Sequence, residues 1–373
     1  MKIGITCYPT YGGSGVVATE LGKKLADLGH EIHFISYALP YRLNEFTSNI
    51  FFHEVEVLKY PLFEYPPYSL SLASKMAEVI EFQKLELLHV HYAIPHATSA
   101  FLAKKLINDD TFKIITTLHG TDITLLGSDP SFFKITKFSI EQSDGITAVS
   151  QFLKEETQNV FNINKPIEVI PNFVPLNLGF PEKLPEVRKR FADEDEKIIT
   201  HISNFRPLKR VIEIVPIIKK VLQKHRLKVL MIGDGPERYK VEELCRQEGL
   251  CDTIQFLGKQ ENIHDLLCIS DLFLLPSETE SFGLAVLEAL AFGIPCITSN
   301  AGGLTEVNID RQTGFTVPVG DIDAYVESLM FLLNDKSLYN QMSKNAKEYA
   351  ENKFSCSKIV PEYVEFYKKI LSK

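Results

Sequence analysis

Short apolar segments alternate with longer amphipathic segments along most of the chain. In the first half, runs with the composition typical of strands occupy residues 3–7, 31–36, 87–91, 113–118 and 145–149. Stretches with helical spacing of apolar residues lie at 15–29, 69–84, 97–106 and before residue 144. Such an alternation is typical of a parallel sheet covered by helices. We therefore expect a doubly wound α/β domain here.

The same alternation starts again near residue 198. Strands are predicted at 198–202, 228–232, 253–257 and 272–276, and helices at 211–225 and 239–249. A Pro-rich and charged stretch, beginning at residue 170 and reaching residue 196, separates the two series and is the predicted hinge. A chain of 373 residues has room for two hydrophobic cores.

The predicted domains span residues 1–171 and 172–354. A terminal helix at 355–373 carries apolar side chains at helical spacing, which predicts that it packs back on the first domain. These side chains are Ile359, Tyr363, Phe366 and Ile370.

Composition excludes several classes of function. A net charge of -8, without a dense basic stripe, argues against a nucleic-acid partner. No apolar run approaches the roughly 20 residues that span a bilayer, and residues 2–6 have the pattern of a strand rather than of a signal peptide. We expect a cytoplasmic protein with no membrane partner. The six scattered cysteines predict neither a disulfide framework nor a zinc knuckle.

A glycine loop, Gly12-Gly13-Ser14-Gly15, directly follows the first predicted strand. Glycines there let backbone N–H groups approach a phosphate or a sugar, although a tight turn without a ligand has the same composition. The loop is not the G-x-G-x-x-G of nicotinamide enzymes, and the second strand ends near Ser36 without an acidic residue for a ribose. A dehydrogenase is disfavoured.

Two cations, Arg206 and Lys209, follow the first strand of the second series. A forked guanidinium beside a compact ammonium suits a departing diphosphate, and the alternative is a solvated basic turn. Gly233 and Gly258 end two further strands, where α/β sheets bind ligands, but either could merely turn the chain.

The strongest single signal is the segment from Ser277 to Leu290, which joins a strand to a helix. Glu280 lies on the loop and Glu288 on the helix, with Phe282-Gly283-Leu284 between them. Two carboxylates can bind pairs of hydroxyl groups while the N–H groups of the helix start face phosphate. Carboxylates that only stabilise the start of a helix are the ordinary alternative.

Several polar residues end strands of the first domain. His89, His91 and His96 lack a local Asp, Glu or Cys that would complete a metal site, so we interpret them as strand-end polar contacts. His119 is the better catalytic candidate. Asp321 and Asp323 precede a helix and are interpreted as an N-cap and a first-turn charge rather than metal ligands.

Taken together, these segments resemble family 4 glycosyltransferases over nearly the entire chain. The resemblance implies the GT-B fold, two Rossmann-like doubly wound domains facing a central cleft, and a retaining transferase that needs no metal or other cofactor. Cys7-Tyr8-Pro9, His89-Val90-His91-Tyr92, Leu118-His119-Gly120-Thr121-Asp122 and Asn204-Phe205-Arg206-Pro207 are closest to family members that transfer N-acetylglucosamine from UDP-GlcNAc to L-malate in bacillithiol biosynthesis.

The resemblance and the residue patterns together assign roles. The predicted catalytic residues are His119, Glu280, Arg206 and Lys209. The predicted donor-binding residues are Gly13, Ser14, Arg206, Lys209, Gly233, Gly258, Glu280, Phe282, Gly283, Leu284 and Glu288. The family usually spaces its cation pair as R-x4-K, which leaves open whether Asn204 or Arg206 occupies the Arg position.

The acceptor needs hydrogen-bond donors for two carboxylates at the rim of the first domain. The predicted acceptor-binding residues are Ser14, Tyr92, Thr117, Thr121 and Asn172, with helix N-terminal dipoles contributing. UDP-GlcNAc and L-malate are thus the expected partners, and a homodimer is an open expectation.

Two alternatives have similar sequence features. One is a transferase of the same fold acting on a lipid or polysaccharide. Residues 59–140 hold eight Lys, no Arg and eight acidic residues, without the basic excess expected of a membrane-docking domain. The other is a two-lobed sugar-binding protein without catalysis, against which the Glu280 and Glu288 pair argues.

Overall fold

The chain folds into two compact units. The computed structural model describes residues 1–10, 12–43, 46–58, 60–125, 127, 129–174 and 184–373. Unit 1 comprises Met1–Asn172 and Cys356–Lys373, and unit 2 comprises Phe173–Ser355. The boundary predicted from the sequence lies after residue 171. Residues 175–183 of the predicted hinge lie outside the described residues.

Unit 1 is built on a parallel sheet with the strand order β3-β2-β1-β4-β5-β6-β7. Its strands are β1 Lys2–Thr6, β2 Glu31–Ser36, β3 Ile50–Glu54, β4 Leu87–His91, β5 Lys113–Leu118, β6 Gly145–Ala148 and β7 Glu168–Val169. Its helices are α1 Gly13–Asp27, α2 Tyr68–Gln83, α3 Thr98–Leu106, α4 Pro130–Gln142 and α5 Gln151–Phe161, joined by α14 Cys356–Leu371 from the end of the chain.

The central strands of unit 1 are buried on both faces, which accounts for their nearly continuous apolar sequences. Ile3 of β1 pairs with Ile32 of β2 on one side and with Leu87 of β4 on the other. The order of the sheet therefore reverses at β1, and the space beyond the carboxyl ends of β1 and β4 is a topological switch point. Strand β3, which the pattern did not predict, lies at the half-exposed edge of the sheet.

Unit 2 repeats this topology in the order β10-β9-β8-β11-β12-β13. Its strands are β8 Lys197–Ile202, β9 Leu227–Ile232, β10 Ile254–Gly258, β11 Leu272–Leu275, β12 Cys296–Ser299 and β13 Gly314–Val317. Its helices are α6 Pro185–Arg188, α7 Ile214–Val221, α8 Arg238–Gln247, α9 Ile263–Cys268, α10 Leu284–Ala291, α11 Leu304–Val307, α12 Ile322–Asn334 and α13 Lys336–Phe354. The switch point here lies beyond β8 and β11.

The helix predicted at residues 211–225 is shorter than expected. A 3-10 turn, Val211–Glu213, precedes α7, which ends at Val221. Because α7 begins at Ile214, Pro216 falls in its first turn, where a missing N–H costs no intrahelical hydrogen bond. The apolar face of α7 joins the unit 2 core through Ile214, Ile217 and Ile218.

The last helix, α14, packs within unit 1. Its buried side chains include all four of the predicted apolar positions, from Ile359 to Ile370. A side chain on Gly145 would lie 2.9 Å from Ile370 Cγ1, so the helix approaches the start of β6 closely. The role of Asp321 as an N-cap is also confirmed, since its carboxylate accepts the N–H of Ala324 at 3.0 Å.

All six cysteines are free thiols. Among the described residues, no helix has the combination of length and apolar composition that crossing a membrane requires.

Candidate active site

Two of the predicted donor-binding residues, Lys209 and Glu280, lie close together at the switch point of unit 2. Lys209 follows β8 and Glu280 follows β11, two strands that are neighbours in the sheet. Lys209 Nζ lies 2.5 Å from Glu280 Oε1, and both side chains are largely buried. An ammonium and a carboxylate at the edge where α/β sheets bind ligands can contact a phosphate and a hydroxyl group respectively.

The loops that carry this ion pair are joined to each other. The N–H of Glu278 donates to Leu208 O at 2.8 Å, which ties the second loop to the first. Ser277 Oγ donates to Glu280 Oε1 at 2.9 Å. In the part of the chain that is described, both side-chain contacts to Glu280 fall on Oε1, so Oε2 keeps lone pairs that a sugar hydroxyl can use.

The two arginines of the first loop differ in their surroundings. Arg206, the predicted catalytic cation, is exposed, and so is Asn204. Arg210 forms an ion pair with Glu213, and its Nη1 lies 3.9 Å from Glu278 Oε2. Sequence reasoning did not single out Arg210. Its place beside Lys209 makes it a support for the loop rather than a free cation.

Glu288 is buried on α10, and the predicted Phe282-Gly283-Leu284 segment forms the start of that helix. Gly283 has a φ of +94°, a conformation that L side chains rarely adopt. The N–H groups that precede Val286 in α10 have no intrahelical acceptor. Phe282 is buried against Phe354, with ring centroids 5.6 Å apart, and anchors the turn.

Gly233 and Gly258 lie side by side at the same edge of the sheet. The N–H of Gly233 donates to Gly258 O at 2.8 Å. A Cβ on Gly233 would lie 1.8 Å from Ser203 O, so this position requires glycine for close backbone packing. The structure gives Gly233 a packing role, and Gly258 has a φ of +67°, which favours glycine. The contact of either glycine with a donor remains a prediction.

Gly13 and Ser14 occupy the first turn of α1 in unit 1. The carbonyl of Gly12 accepts the N–H groups of Gly15 and Val16, while the earlier N–H groups of a helix lack an intrahelical partner. A Cβ on Gly15 would lie 2.5 Å from Tyr8 O, so the glycine lets α1 start close to the end of β1. The arrangement suits an anion.

His119 lies beside His91 at the carboxyl ends of β5 and β4. His119 Nε2 lies 2.8 Å from His91 Nδ1, and the two rings are stacked with centroids 5.1 Å apart. Burial, together with the neighbouring His96, lowers the pKa of His119 to about 3. His119 is therefore a neutral imidazole at pH 7, able to hydrogen-bond a sugar hydroxyl but not to act as a cationic acid.

The other histidines make the strand-end contacts that we predicted. His89 is buried between Tyr367 OH and Thr117 Oγ1, each 2.7 Å from a ring nitrogen. Burial lowers its pKa to about 3. Thr117 Oγ1 also lies 2.7 Å from Thr147 Oγ1. This predicted acceptor residue thus belongs to a buried chain of hydrogen bonds that begins on α14, and sequence reasoning missed Tyr367.

The remaining predicted acceptor-binding residues also lie beyond the carboxyl ends of the strands of unit 1. Tyr92 has a φ of +91°, a strained conformation for a residue with a side chain, and its ring lies 5.3 Å from that of Tyr8. Thr121 is half-buried directly after β5. Asn172 is buried, and its Oδ1 has no hydrogen-bond partner within the described residues. A buried amide oxygen without a partner is costly and marks a place where a ligand can bind.

No group of three or more His, Cys, Asp or Glu side chains in the described part of the chain is arranged to hold a metal ion. The cations at the unit 2 switch point are Lys209 and the nearby arginines.

Known proteins share both the sequence pattern and the fold. The family described as Glycosyltransferase Family 4 matches residues 11–178, and the family described as Glycosyl transferases group 1 matches residues 183–349. The N-acetyl-alpha-D-glucosaminyl L-malate synthase of Bacillus anthracis is 49% identical over 372 residues, which cover 100% of this chain and 97% of that protein.

Solved structures with the same fold include two that match almost the whole chain. Sucrose-phosphate synthase from Thermosynechococcus elongatus superposes with a TM-score of 0.83 at 21% identity, covering 100% of this chain and 99% of that one. Anabaena Alr3699/HepE in complex with UDP-glucose superposes with a TM-score of 0.81 at 19% identity, covering 99% and 100%.

Proposed function

The chain belongs to the family 4 glycosyltransferases of the GT-B fold, and on that premise we propose that it transfers N-acetylglucosamine from UDP-GlcNAc to the hydroxyl group of L-malate. The product would be GlcNAc-malate, an intermediate of bacillithiol biosynthesis. The observation that carries the proposal is the 49% identity to a GlcNAc-malate synthase, which extends over the full length of both proteins.

Unit 2 binds the donor in this proposal. Lys209 and Arg206 neutralise the diphosphate, whose negative charge grows as it leaves. Glu280 binds hydroxyl groups of the sugar, and Glu288 binds those of the ribose. The first N–H groups of α10 face the phosphates. The 2.5 Å contact between Lys209 and Glu280 supports this assignment, because a cation suited to phosphate and a carboxylate suited to sugar hydroxyls lie side by side.

Unit 1 binds the acceptor. The N–H groups at the start of α1, with Ser14, Tyr92 and Thr121, donate to the two carboxylates of malate. Before the reaction, Asn172 Oδ1 accepts the hydrogen bond of the malate hydroxyl, the only donor that the malate dianion has. This hydrogen bond is exchanged for one to the departing phosphate oxygen when the hydroxyl attacks. The partnerless, buried state of Asn172 Oδ1 in the described structure supports this role.

We propose front-face attack, which retains the α-anomer. The bond between the sugar C1 and the diphosphate oxygen breaks, and the malate hydroxyl oxygen bonds to C1 on the same face. The hydroxyl proton moves to the departing phosphate oxygen. His119, a neutral imidazole, binds the reacting sugar. A covalent glycosyl-enzyme, detected by mass spectrometry with a slow donor analogue, would refute this step in favour of a double displacement.

The proposal is tested with pairs of substrates that differ in one group. Purified protein is incubated with UDP-GlcNAc and L-malate, and UDP release is measured. Succinate has the same two carboxylates but no hydroxyl, so it should release no UDP above the rate with water. UDP-glucose, which lacks the acetamido group, should be the poorer donor.

The same assay separates the alternatives. UDP release with phosphatidylinositol vesicles but not with malate would support a lipid acceptor. Donor binding in calorimetry without turnover of any acceptor would support a sugar-binding protein. Homodimer formation and a cytoplasmic location remain predictions from the sequence.

A further inference from the structure

Asp122 is fully buried at the edge of unit 1 that carries the predicted acceptor residues. Among the described residues, its carboxylate accepts backbone N–H groups of three other residues. Oδ2 accepts from Ala93 at 2.9 Å, and Oδ1 accepts from Gly120 at 3.0 Å and from His119 at 3.4 Å. Sequence reasoning gave this residue no role.

These N–H groups belong to two different loops. Ala93 directly follows Tyr92, and the segment that starts there continues β4. His119 and Gly120 directly follow β5, the neighbouring strand. The carboxylate thus joins the two loops just where Tyr92 holds its strained φ of +91°. Strain of this kind persists only where surrounding contacts fix the backbone.

We propose that Asp122 is a positioning residue for glycosyl transfer: its carboxylate holds the backbones of Tyr92 and His119 in the conformation that presents one side chain to the acceptor and the other to the sugar. This inference rests on the proposed function. Asp122 lies on the second loop, three residues after His119, and its buried carboxylate acts through the two backbones.

A carboxylate suits this place better than an amide does. Three donors converge on two oxygens, and an ionised carboxylate has acceptor capacity on both. An asparagine has one oxygen. If it faces Gly120 and His119, its NH2 group meets the N–H of Ala93, and if it faces Ala93, the other two donors lose their acceptor. Asp122→Asn therefore releases one loop from the other.

Protonation of Asp122 should change the activity with pH, an effect that a purely structural residue would not produce. Burial raises the pKa of Asp122 to about 6, against the opposing effect of its backbone hydrogen bonds. Titratable groups at the same end of the sheet are His91, His96, His119 and Tyr8, and the charge of Asp122 contributes to raising the pKa of Tyr8. Burial lowers the pKa of His119 to about 3 and of His96 to about 4, lowers that of His91 as well, and raises that of Tyr8 to about 12. Asp122 is thus the group of this cluster that changes charge near pH 6.

Asp144→Asn is the matched control. Asp144 also accepts a backbone N–H of β5, that of Ile114 at 2.8 Å, and it pairs with Lys104. Asp144 directly precedes β6 and therefore lies at the amino ends of the strands, whereas Tyr92 and His119 lie at the carboxyl ends. Both substitutions remove one carboxylate charge from unit 1, but only one of them touches the proposed positioning contacts.

Kinetics of the wild type and both variants, with each substrate varied between pH 5 and 8, form the first arm of the test. Above pH 7, Asp122→Asn should lower kcat/KM for malate about ten- to a hundredfold, because a buried hydrogen bond to a charged group is lost. Asp144→Asn should stay within about twofold of wild type. Wild-type kcat/KM should fall as pH drops through 6, and the Asp122→Asn profile should lack this step. Equal effects of the two variants, or the same step in both profiles, would overturn the proposal.

The second arm does not depend on activity. The amide resonances of Ala93 and Gly120, followed by NMR, should shift with a midpoint near pH 6 in wild type and in Asp144→Asn, and should not shift in Asp122→Asn. Wild-type amides that do not titrate would overturn the proposal even if Asp122→Asn fails to fold. A wild type that titrates but transfers no sugar to malate would instead contradict the proposed function alone.

Discussion

Lys209 Nζ and Glu280 Oε1 lie 2.5 Å apart at the ends of two neighbouring strands. The residues predicted to bind the diphosphate and the sugar therefore neutralise each other's charge. A diphosphate that binds Lys209 competes with Glu280 for the ammonium group. In the proposed function, Glu280 is then released to accept hydrogen bonds from the sugar, and the ion pair would link recognition of the two parts of the donor.

Glu280→Gln should separate these two roles. UDP, which lacks the sugar, should bind up to about tenfold more tightly, because Lys209 no longer has a competing carboxylate. Turnover of UDP-GlcNAc should fall by about tenfold or more, because the sugar loses a charge-assisted hydrogen bond. Calorimetry and steady-state kinetics measure the two effects. Glu278→Gln, in the same loop but exposed, is the control, and weaker UDP binding by Glu280→Gln alone would contradict the competition.

Glu288→Gln should weaken binding of UDP about ten- to a hundredfold, because an amide replaces a charge-assisted hydrogen bond to the ribose. Calorimetry with 2′-deoxy-UDP and 3′-deoxy-UDP locates the contact. Wild type should prefer UDP over at least one of these analogues, and the variant should have lost that preference. A preference that survives the substitution would show that Glu288 does not contact the ribose.

Tyr92→Phe should raise the KM for malate by about ten- to a hundredfold and leave the KM for UDP-GlcNAc nearly unchanged, because one buried hydrogen bond to a carboxylate is lost. Steady-state kinetics with each substrate varied measures both constants. Tyr68→Phe is the control, since the buried Tyr68 hydroxyl has no hydrogen-bond partner in the part of the chain that is described. Equal changes in both constants would indicate a folding defect, and no change would remove Tyr92 from the site.

Acid should destabilise the protein through its buried neutral histidines. Burial lowers the pKa of His201 in unit 2 to about 4. It also lowers the pKa of His89 and of His119 in unit 1, each to about 3. The unfolded chain binds protons below pH 6.5 while the folded protein does not, so stability falls as pH drops from about 6.5 toward 4. Each histidine contributes about 1.4 kcal/mol per pH unit in that window.

Urea unfolding at pH 7.5 and 5.5 measures this effect. His201→Asn should reduce the loss of stability between the two pH values by about 1.4 kcal/mol, because the variant no longer has the histidine that the unfolded chain protonates below pH 6.5. An unchanged loss would mean that His201 is protonated in the folded protein.

Removal of divalent metal should leave transfer intact. In this account Lys209 and Arg206 neutralise the leaving diphosphate, a task that a bound cation performs in other enzymes. We expect the rate of UDP release to change by less than about twofold after EDTA treatment and gel filtration, an effect below 1 kcal/mol. Loss of activity that returns when Mg²⁺ or Mn²⁺ is added would contradict this expectation.

The periodicity of apolar residues was sufficient to predict most of the sheets, because buried parallel strands are short continuous apolar runs. Strands β3, β7, β12 and β13 were missed. Strand β3 lies at an edge and is half exposed, β7 has only two residues, and β12 and β13 have four each. Helix α7 begins at Ile214, three residues later than predicted, because Pro216 is tolerated only in the first turn of a helix. The exposure of β3 depends on where the strand lies in the finished fold.

Most of the individual residues of the candidate site could be predicted from the sequence, because they follow the end of a predicted strand. Glycine loops and the spacing of Glu280 and Glu288 are local signals. The pairing of Lys209 with Glu280 depends on β8 and β11 being neighbours, which the sequence order alone does not specify. Asp122 and Tyr367 escaped notice for the same reason, since their partners are 29 and 278 positions away in the chain.

Proton NMR of one reaction mixture tests the central claim most directly. The protein is mixed with UDP-GlcNAc and L-malate, and the anomeric region is followed with time. We predict that the donor signal declines as one new α-anomeric signal appears, in equal amount to the UDP formed, and that succinate in place of malate gives no such signal. A β-anomeric product, or a donor signal that persists while malate is present in excess, would contradict the assignment of this chain as a retaining GlcNAc-malate transferase.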